Sequence, residues 1–502
     1  MTAGKPNILL ITTDQHRLSG VGAYGPTPCQ TPNIDALASK GVLFENTYTT
    51  CPVCTPARAS IMTGLYPHSH GMTGNPHQLG TCVSELPDHP DILPRRLATG
   101  GYQLGWTGKW HLGTGYQTIR RPGSYIDMPN TPSLPERFGF QGHRQDPNGK
   151  GHSAPGFAEY LQVNRLPSGT RPPASDSRRP AHNYGILEGP EEATFSYYLV
   201  NETIKLIDDF KTGDEPFFIS HNFPGPHHPW KVPQAFYDLY RDVDIPEWPN
   251  YRWEAGSTPG PHGMNLHPRA QELEWADWAE SIRYYYAYIS LIDRQIGRLL
   301  EHLEMNGLME NTMIVFTSDH GEAIGSHGGL SNKGWTHFEE IQRVPLIVVP
   351  PQGFSSRPAA PERVRSEFAS LADLYPTLLD YAGALGDDIP YHGRSLRPLL
   401  ESRAVKWREA VFVEFFSVFR AIATLYTVRK GSWKYGWNAV GRDELYDLDS
   451  DPHEMNNLID APAAQPKRDE LRQTLAEWAR ETGVTLSGPD SPTGKLIPGV
   501  LE

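Results

Sequence analysis

Short runs of largely apolar residues do most to limit what this chain can fold into: Ile8 to Ile11, Tyr102 to Trp106, Phe217 to Ile219, Met313 to Phe316 and Leu346 to Val349. A strand with one wet face alternates apolar and polar residues. Runs that do not alternate and are rich in β-branched or aromatic residues suit strands buried on both faces of a parallel sheet. Helical patterns lie between the runs. Thr31 and Pro32 open one, as cap and first helical residue, and Gly41 closes it. A longer one spaces Trp275, Trp278, Ile282, Tyr285, Ile289, Ile292, Ile296, Leu299 and Leu303 by threes and fours. That stripe fits a coiled-coil seam, but Tyr288, Leu291 and Leu300 widen it and favour packing on a sheet. The predicted fold is therefore α/β, a mainly parallel central sheet flanked by helices.

Two stretches depart from that pattern. From Gly113 to Pro190 the chain is dense in Pro, Gly, Asn, Arg and His, which reads as a loop-rich excursion over a site, with a plain surface insertion as the alternative. After Leu400 come Val411 to Phe415, Ala423 to Lys430, Trp433 to Trp437 and Glu444 to Leu448, then a helix from about Lys467 to Glu481. These shorter, alternating strands predict a small antiparallel α+β subdomain. The expected division is a catalytic unit over 1–400 and a C-terminal subdomain over 401–502.

Composition excludes some functions. With 45 basic and 58 acidic residues the net charge is −13, the wrong sign for a protein that grips nucleic acid through a basic face. An anionic ligand would need a local cationic pocket. No apolar run is long enough to span a membrane and no secretory leader is recognisable, so the expected location is cytoplasmic. Four cysteines, Cys29, Cys51, Cys54 and Cys82, are too few for a disulfide framework in 502 residues. Cys51 and Cys54 form a C-x-x-C, which is open to redox or zinc readings, but no second pair completes a zinc site.

In open α/β sheets ligands bind beyond the carboxyl ends of the strands. Those ends carry Asp14 and Gln15; Lys109 and His111; His221, His227 and His228; and Asp319 and His320. One such cluster alone would pass for a helix cap or a bonded loop. Four at one edge predict a metal-assisted site for an anion. Asp14, Gln15 and Asp319 offer oxygen and His320 nitrogen, a set suited to Ca²⁺, Mg²⁺ or Mn²⁺, with zinc as an alternative.

The segment Cys54-Thr-Pro-Ala-Arg58, continuing to Thr63-Gly64, resembles the C-x-P-x-R signature of type I, formylglycine-dependent sulfatases. The resemblance covers nearly the whole chain, through Pro6-Asn-Ile-Leu, Thr107-Gly-Lys-Trp-His111, Pro226-His-His-Pro229, Ser318-Asp-His-Gly321, Glu444-Leu-Tyr-Asp-Leu448, Asp451-Pro452 and Asn457-Leu458. It implies an alkaline-phosphatase-like fold and a Cys54 converted to Cα-formylglycine by a formylglycine-generating enzyme. The hydrated aldehyde attacks sulfur, at the N-terminus of a short helix predicted from Ala57 to Met62. By the same resemblance Asp14, Gln15, Asp319, His320 and residue 54 ligate the metal, and Arg58 holds the hydrate. Lys109 and Lys333 neutralise the sulfate oxygens, His227 protonates the leaving alcohol, and His111 helps the intermediate collapse to aldehyde. The implied substrate is a carbohydrate or aryl sulfate ester.

Gln15 and His320 stand where many sulfatases carry a second acidic residue and Asn, a combination similar to phosphonate monoester hydrolases, which use the same formylglycine on phosphonate and phosphate esters. Two carboxylates rather than three lower the negative charge and bring Mn²⁺ into contention beside Ca²⁺. Lys109 and His111 favour the sulfatase reading. A non-catalytic anion-binding protein with a free Cys54 thiol is the reading from another class. Asn75 reads either as a ligand to the substrate anion or as a turn residue, and Trp230, Trp248 and Trp253 either as stacking platforms or as core. The aromatic surfaces permit a homo-oligomer.

Overall fold

The computed structural model describes residues 4–76, 78, 81, 83–114, 133–142, 155–172, 184–252, 272–352, 363–386, 389–416 and 424–484. Seven strands form the main sheet, in the order Val364–Arg365, Val42–Phe44, Leu346–Val349, Thr312–Ser318, Asn7–Asp14, Phe217–Pro226 and Gln103–Gly108. Every pairing is parallel except the two made by Leu346–Val349. The reversal follows from the connection. A parallel strand needs a crossover to the far edge, whereas residues 319–345 stay at the carboxyl edge, so the chain re-enters the sheet from the end it left.

The apolar runs are buried on both faces, as expected. In the central strand Ile8 and Leu10 pack with Met62, Leu374 and Leu378 on one side, and Leu9 and Ile11 with Ile292, Ile296 and Leu299 on the other. Helices Cys54–Thr63 and Leu374–Ala382 cover the first face; Pro32–Lys40, Phe195–Phe210 and Trp275–Met305 cover the second. The long helix uses its stripe twice. Its C-terminal half lies on the main sheet, and Trp278, Ile282, Tyr285 and Ile289 pack on Tyr184, Trp230 and Val232 of a three-stranded sheet. The helix starting at Pro32 is not capped by the Thr31 side chain. Asp293 of the long helix takes that role, accepting from Asn33 N at 3.1 Å and Ile34 N at 2.8 Å.

Of the stretch from Gly113 to Pro190, the described parts include a helix, Pro155–Val163, packed through Phe157 and Leu161 on Tyr198 and Leu199, and the strands Thr170–Arg171 and Tyr184–Leu187. Residues 115–132, 143–154 and 173–183 lie outside the described residues, as do Cys82 and Trp253. Trp230 is core: it is fully buried, and its indole N–H donates to Pro226 O at 2.6 Å. No helix among the described residues is long and apolar enough to cross a membrane.

Four antiparallel strands, Ala410–Phe415, Leu425–Lys430, Trp433–Asn438 and Glu444–Asp447, form the last sheet, against which Gln465–Thr482 packs Leu471, Leu475 and Trp478. This sheet is bolted to the loop following Thr312–Ser318. The fully buried Lys434 donates to His337 O at 2.6 Å and Glu339 at 3.1 Å, and also meets Glu454. Burial raises the Glu454 carboxyl to about 8, with Lys434 opposing and Glu339 and Glu340 adding to the rise. A carboxyl raised on folding binds more protons folded than unfolded. Stability should therefore fall as pH rises from about 4.5 towards about 8. Urea unfolding across that window should show the fall, and Glu454→Gln should flatten it.

Candidate active site

Strand register alone gathers the polar ends. Thr13 pairs with Ser318, Thr12 with Asn222, and Asn222 with Gly108, so Asp14, Asp319, Asn222 and Lys109 arrive at one edge. Gly108 is required there: its φ is +84°, and a Cβ would lie 1.7 Å from Asn222 O. That close approach lets Lys109 N donate to Asn222 O at 2.9 Å and turns the lysine inward.

The helix expected from Ala57 begins at Cys54. Pro56 sits within the first turn, where no intrahelical N–H bond is needed, so it tolerates the earlier start. Cys54 is 1 % exposed, at a helix N-terminus, where the backbone dipole favours negative charge. Its Sγ lies 2.9 Å from Lys333 Nζ, 3.4 Å from His320 Nε2 and 3.8 Å from Asp14 Oδ1. Burial and Asp14 push the thiol up, but Lys109, Lys333 and His320 outweigh them and hold it well below the ordinary thiol range. The tip of residue 54 is thus a place built for an anion.

Arg58, one turn on, donates through Nε to Asp319 Oδ2 at 2.9 Å and through Nη1 to Asn222 Oδ1 at 3.2 Å. Its Nη2 lies 3.6 Å from Asp14 Oδ2 and is buried with no hydrogen-bond partner among the described residues. Lys109 Nζ bonds Asp14 Oδ2. Ligand atoms of Asp14, Cys54, Asp319 and His320 all lie within 4.8 Å of one another. His320 Nδ1 lies 2.9 Å from Gly321 O, which leaves Nε2 as the ring nitrogen that faces the cluster and that would ligate a cation in the neutral ring. Gln15 Oε1 joins from its own bend, at φ +63° and 3.0 Å from Lys333 Nζ. Two carboxylates, an amide oxygen and an imidazole converging in a buried space fit a divalent cation, and a single thiol among them does not make a thiolate zinc site.

A comparison with known families decides what this arrangement belongs to: the sulfatase family model matches residues 6–384.

The chain belongs to the sulfatase family.

A second model, for the C-terminal region of N-sulphoglucosamine sulphohydrolase, matches residues 325–481. The sulfatase is 29 % identical over 487 residues to an arylsulfatase of Clostridium perfringens, covering 96 % of each chain. It is 27 % identical to an N-acetylglucosamine-6-O-sulfatase of Bacteroides thetaiotaomicron, covering 95 % of this chain and 87 % of that one. Among solved structures, the phosphonate monoester hydrolase of Agrobacterium radiobacter superposes with a TM-score of 0.78 at 27 % identity, over 95 % of this chain and 96 % of the other. The family assignment and these relatives make the chain a sulfuric ester hydrolase.

The other expected residues also gather at this sulfatase's site. His227 is half-buried, its Nδ1 2.7 Å from His228 O. Burial and Lys333 push its imidazole well below the ordinary range, against the pull of Asp14. His111 is buried at φ +53°, and its carbonyl accepts from Thr55 Oγ1 at 2.6 Å. Asn75 Oδ1 accepts from Thr55 N at 3.2 Å, so this side chain helps finish the N-terminus of the Cys54 helix. His16, packed edge-on to Phe316, and His70, bonded to Ser60 and Met72 N, are buried, and burial lowers each to about 3. Both are neutral packing residues. Asn222 and Glu322 went unread in the sequence. Their positions beside two of the site motifs were the available signal.

Proposed function

We propose that this sulfatase hydrolyses a sulfate monoester of a carbohydrate or aryl alcohol, R–O–SO₃⁻ + H₂O → R–OH + HSO₄⁻. Cys54, converted to Cα-formylglycine by a formylglycine-generating enzyme, supplies the attacking oxygen, and Asp14, Gln15, Asp319 and His320 hold a divalent cation. The observation that carries the reading is the setting of the residue-54 side chain: at a helix N-terminus, 2.9 Å from Lys333, beside Asp14 and His320, with Arg58 Nη2 buried and unbonded nearby. Here Sγ stands in for the oxygens of the hydrated aldehyde. A bound cation would supply Lewis acidity, lowering the pKa of an attacking hydroxyl and polarising a sulfuryl oxygen. Ca²⁺ is the first choice, with Mn²⁺ and Mg²⁺ as alternatives for a site with two carboxylates.

The chain's own residues do the rest. Arg58, held by Asp319 and Asn222, presents Nη2 to the hydrate. Lys109 and Lys333 place two ammonium charges where the transferring group spreads its negative charge. His227 stands near enough to Lys109 and Lys333 to feel both. An anion bound between them offsets that repulsion and raises the ring's proton affinity, so the imidazole can protonate the departing alkoxide. His111, beside Thr55, takes the hydroxyl proton when sulfate is expelled. Residues 1–400 act as the catalytic unit and 401–502 as its brace.

Lys109→Ala and Lys333→Ala should each lower kcat/KM on an aryl sulfate by about 10²- to 10³-fold, with folding checked by circular dichroism. A second reading, hydrolysis of phosphonate monoesters or phosphodiesters, draws support from the TM-score of 0.78 to the phosphonate monoester hydrolase. Initial rates on aryl sulfate, sulfated sugars, aryl phosphonate and a phosphodiester, with Ca²⁺ or Mn²⁺, decide between them. The first reading requires the sulfate esters to be fastest.

A further inference from the structure

Glu322 is fully buried directly after the Ser318-Asp-His-Gly321 segment, and its carboxylate is surrounded by neutral N–H donors. Oε1 accepts from Asn332 N at 2.6 Å and Ile324 N at 2.9 Å, and Oε2 accepts from Gln15 Nε2. Gln15 Nε2 also donates to Asn332 Oδ1 at 3.1 Å, while Gln15 Oε1 lies on the Lys333 side, 3.0 Å from Nζ. The two ends of a primary amide are nearly equal in shape, so only its partners decide which end points where. An ionised carboxylate only accepts, so whatever faces it must donate.

We infer that Glu322 is a positioning residue: it turns the Gln15 amide so that oxygen, not nitrogen, faces the cation position. This rests on the proposed function above. Without Glu322 the amide could present its NH₂ to the cation and its oxygen to the loop. By holding Asn332 N as well, the same carboxylate fixes the residue before Lys333, so one buried group sets both a metal ligand and an anion-binding lysine.

The test reverses the polarity of the pair and reads cation affinity by calorimetry, with Ca²⁺ and Mn²⁺ titrated into the purified full chain. Glu322→Gln puts an NH₂ among donors and should weaken binding by about 10- to 100-fold. Gln15→Glu sets two carboxylates against each other and should also weaken it, although it adds negative charge beside the cation. The double variant Gln15→Glu/Glu322→Gln restores a donor facing an acceptor and should bind within about threefold of wild type, a strongly non-additive result. A purely structural Glu322 would give losses that add. Wild-type affinity in Glu322→Gln, or additive losses in the double variant, overturns the inference. If Glu322→Gln does not fold, Gln15→Glu decides alone, and unchanged or tighter binding overturns it. A wild-type chain that binds neither cation overturns the proposed function and this inference together, whereas a binding wild type with an unaffected Glu322→Gln overturns the inference only.

Discussion

Replacing Cys54 with alanine is expected to lower turnover of an aryl sulfate by at least about 10³-fold, because the variant removes the attacking group rather than a group that assists it. The protein's stability should change little by comparison. Cys54 is buried at the head of a helix whose N-terminal Thr55 N–H is satisfied by Asn75, a contact that does not use the sulfur. Peptide mass spectrometry of active wild type should show residue 54 lighter than cysteine by about 18 Da, oxygen replacing sulfur with loss of two hydrogens. A Cys54→Ala variant as active as wild type would overturn the mechanism. A wild type that turns over sulfate esters with an unmodified thiol would do the same.

Stripping divalent cations with a chelator should have an effect of similar size. Asp14 and Asp319 sit at zero exposure. Without a cation, Arg58, Lys109, Lys333 and the imidazoles of His227 and His320 are what face them among the described residues, and most of these are the groups proposed to meet the substrate and the hydrate. Lys109 Nζ sits on Asp14 in this structure, an alternative use of that ammonium. On the proposed function, a bound cation would free it for the anion. Removal should therefore lower kcat/KM by at least about 10³-fold, since nucleophile activation and charge neutralisation fail together. Re-addition should restore activity, and the cation that restores it best identifies the metal. A cation held at a hundred times its Kd should also raise unfolding free energy by about 2.7 kcal/mol. Asp319→Ala should lose both effects and respond to no cation.

The strands were legible because burial on two faces leaves an unbroken apolar signature, and the alternation of Ile8 and Leu10 against Leu9 and Ile11 into separate cores is its physical meaning. Direction was not legible. Leu346 to Val349 reads the same parallel or antiparallel, and only the path of residues 319–345 settles it. The helix expected from Ala57 starts three residues earlier, at Cys54, because Pro56 is tolerated within the first turn. The cap of the helix at Pro32 was missed because the acceptor that caps it, Asp293, belongs to a distant helix.

The site residues proposed from the sequence do gather at one edge, because strand ends are where an α/β sheet brings remote segments together. Lys333 and Cys54 meet across 279 positions of sequence. What the sequence withheld was the layer behind them. Asn222 and Glu322 act through bonds that exist only once register and loop path are fixed, and their places next to His221 and Gly321 are the only trace of them in the sequence.

The helix Cys54–Thr63 is buried from Cys54 through Met62. A second protein could not grip that segment once the sheet and the Leu374–Ala382 helix had closed over it. Any enzyme that rewrites residue 54 must therefore act while the chain is still open, in competition with folding itself. On the proposed mechanism, a molecule that folds first would be sealed with a thiol in place and would stay idle, however sound its structure. The specific activity of a preparation would then record the outcome of that race, chain by chain, and slowing folding during synthesis would raise it.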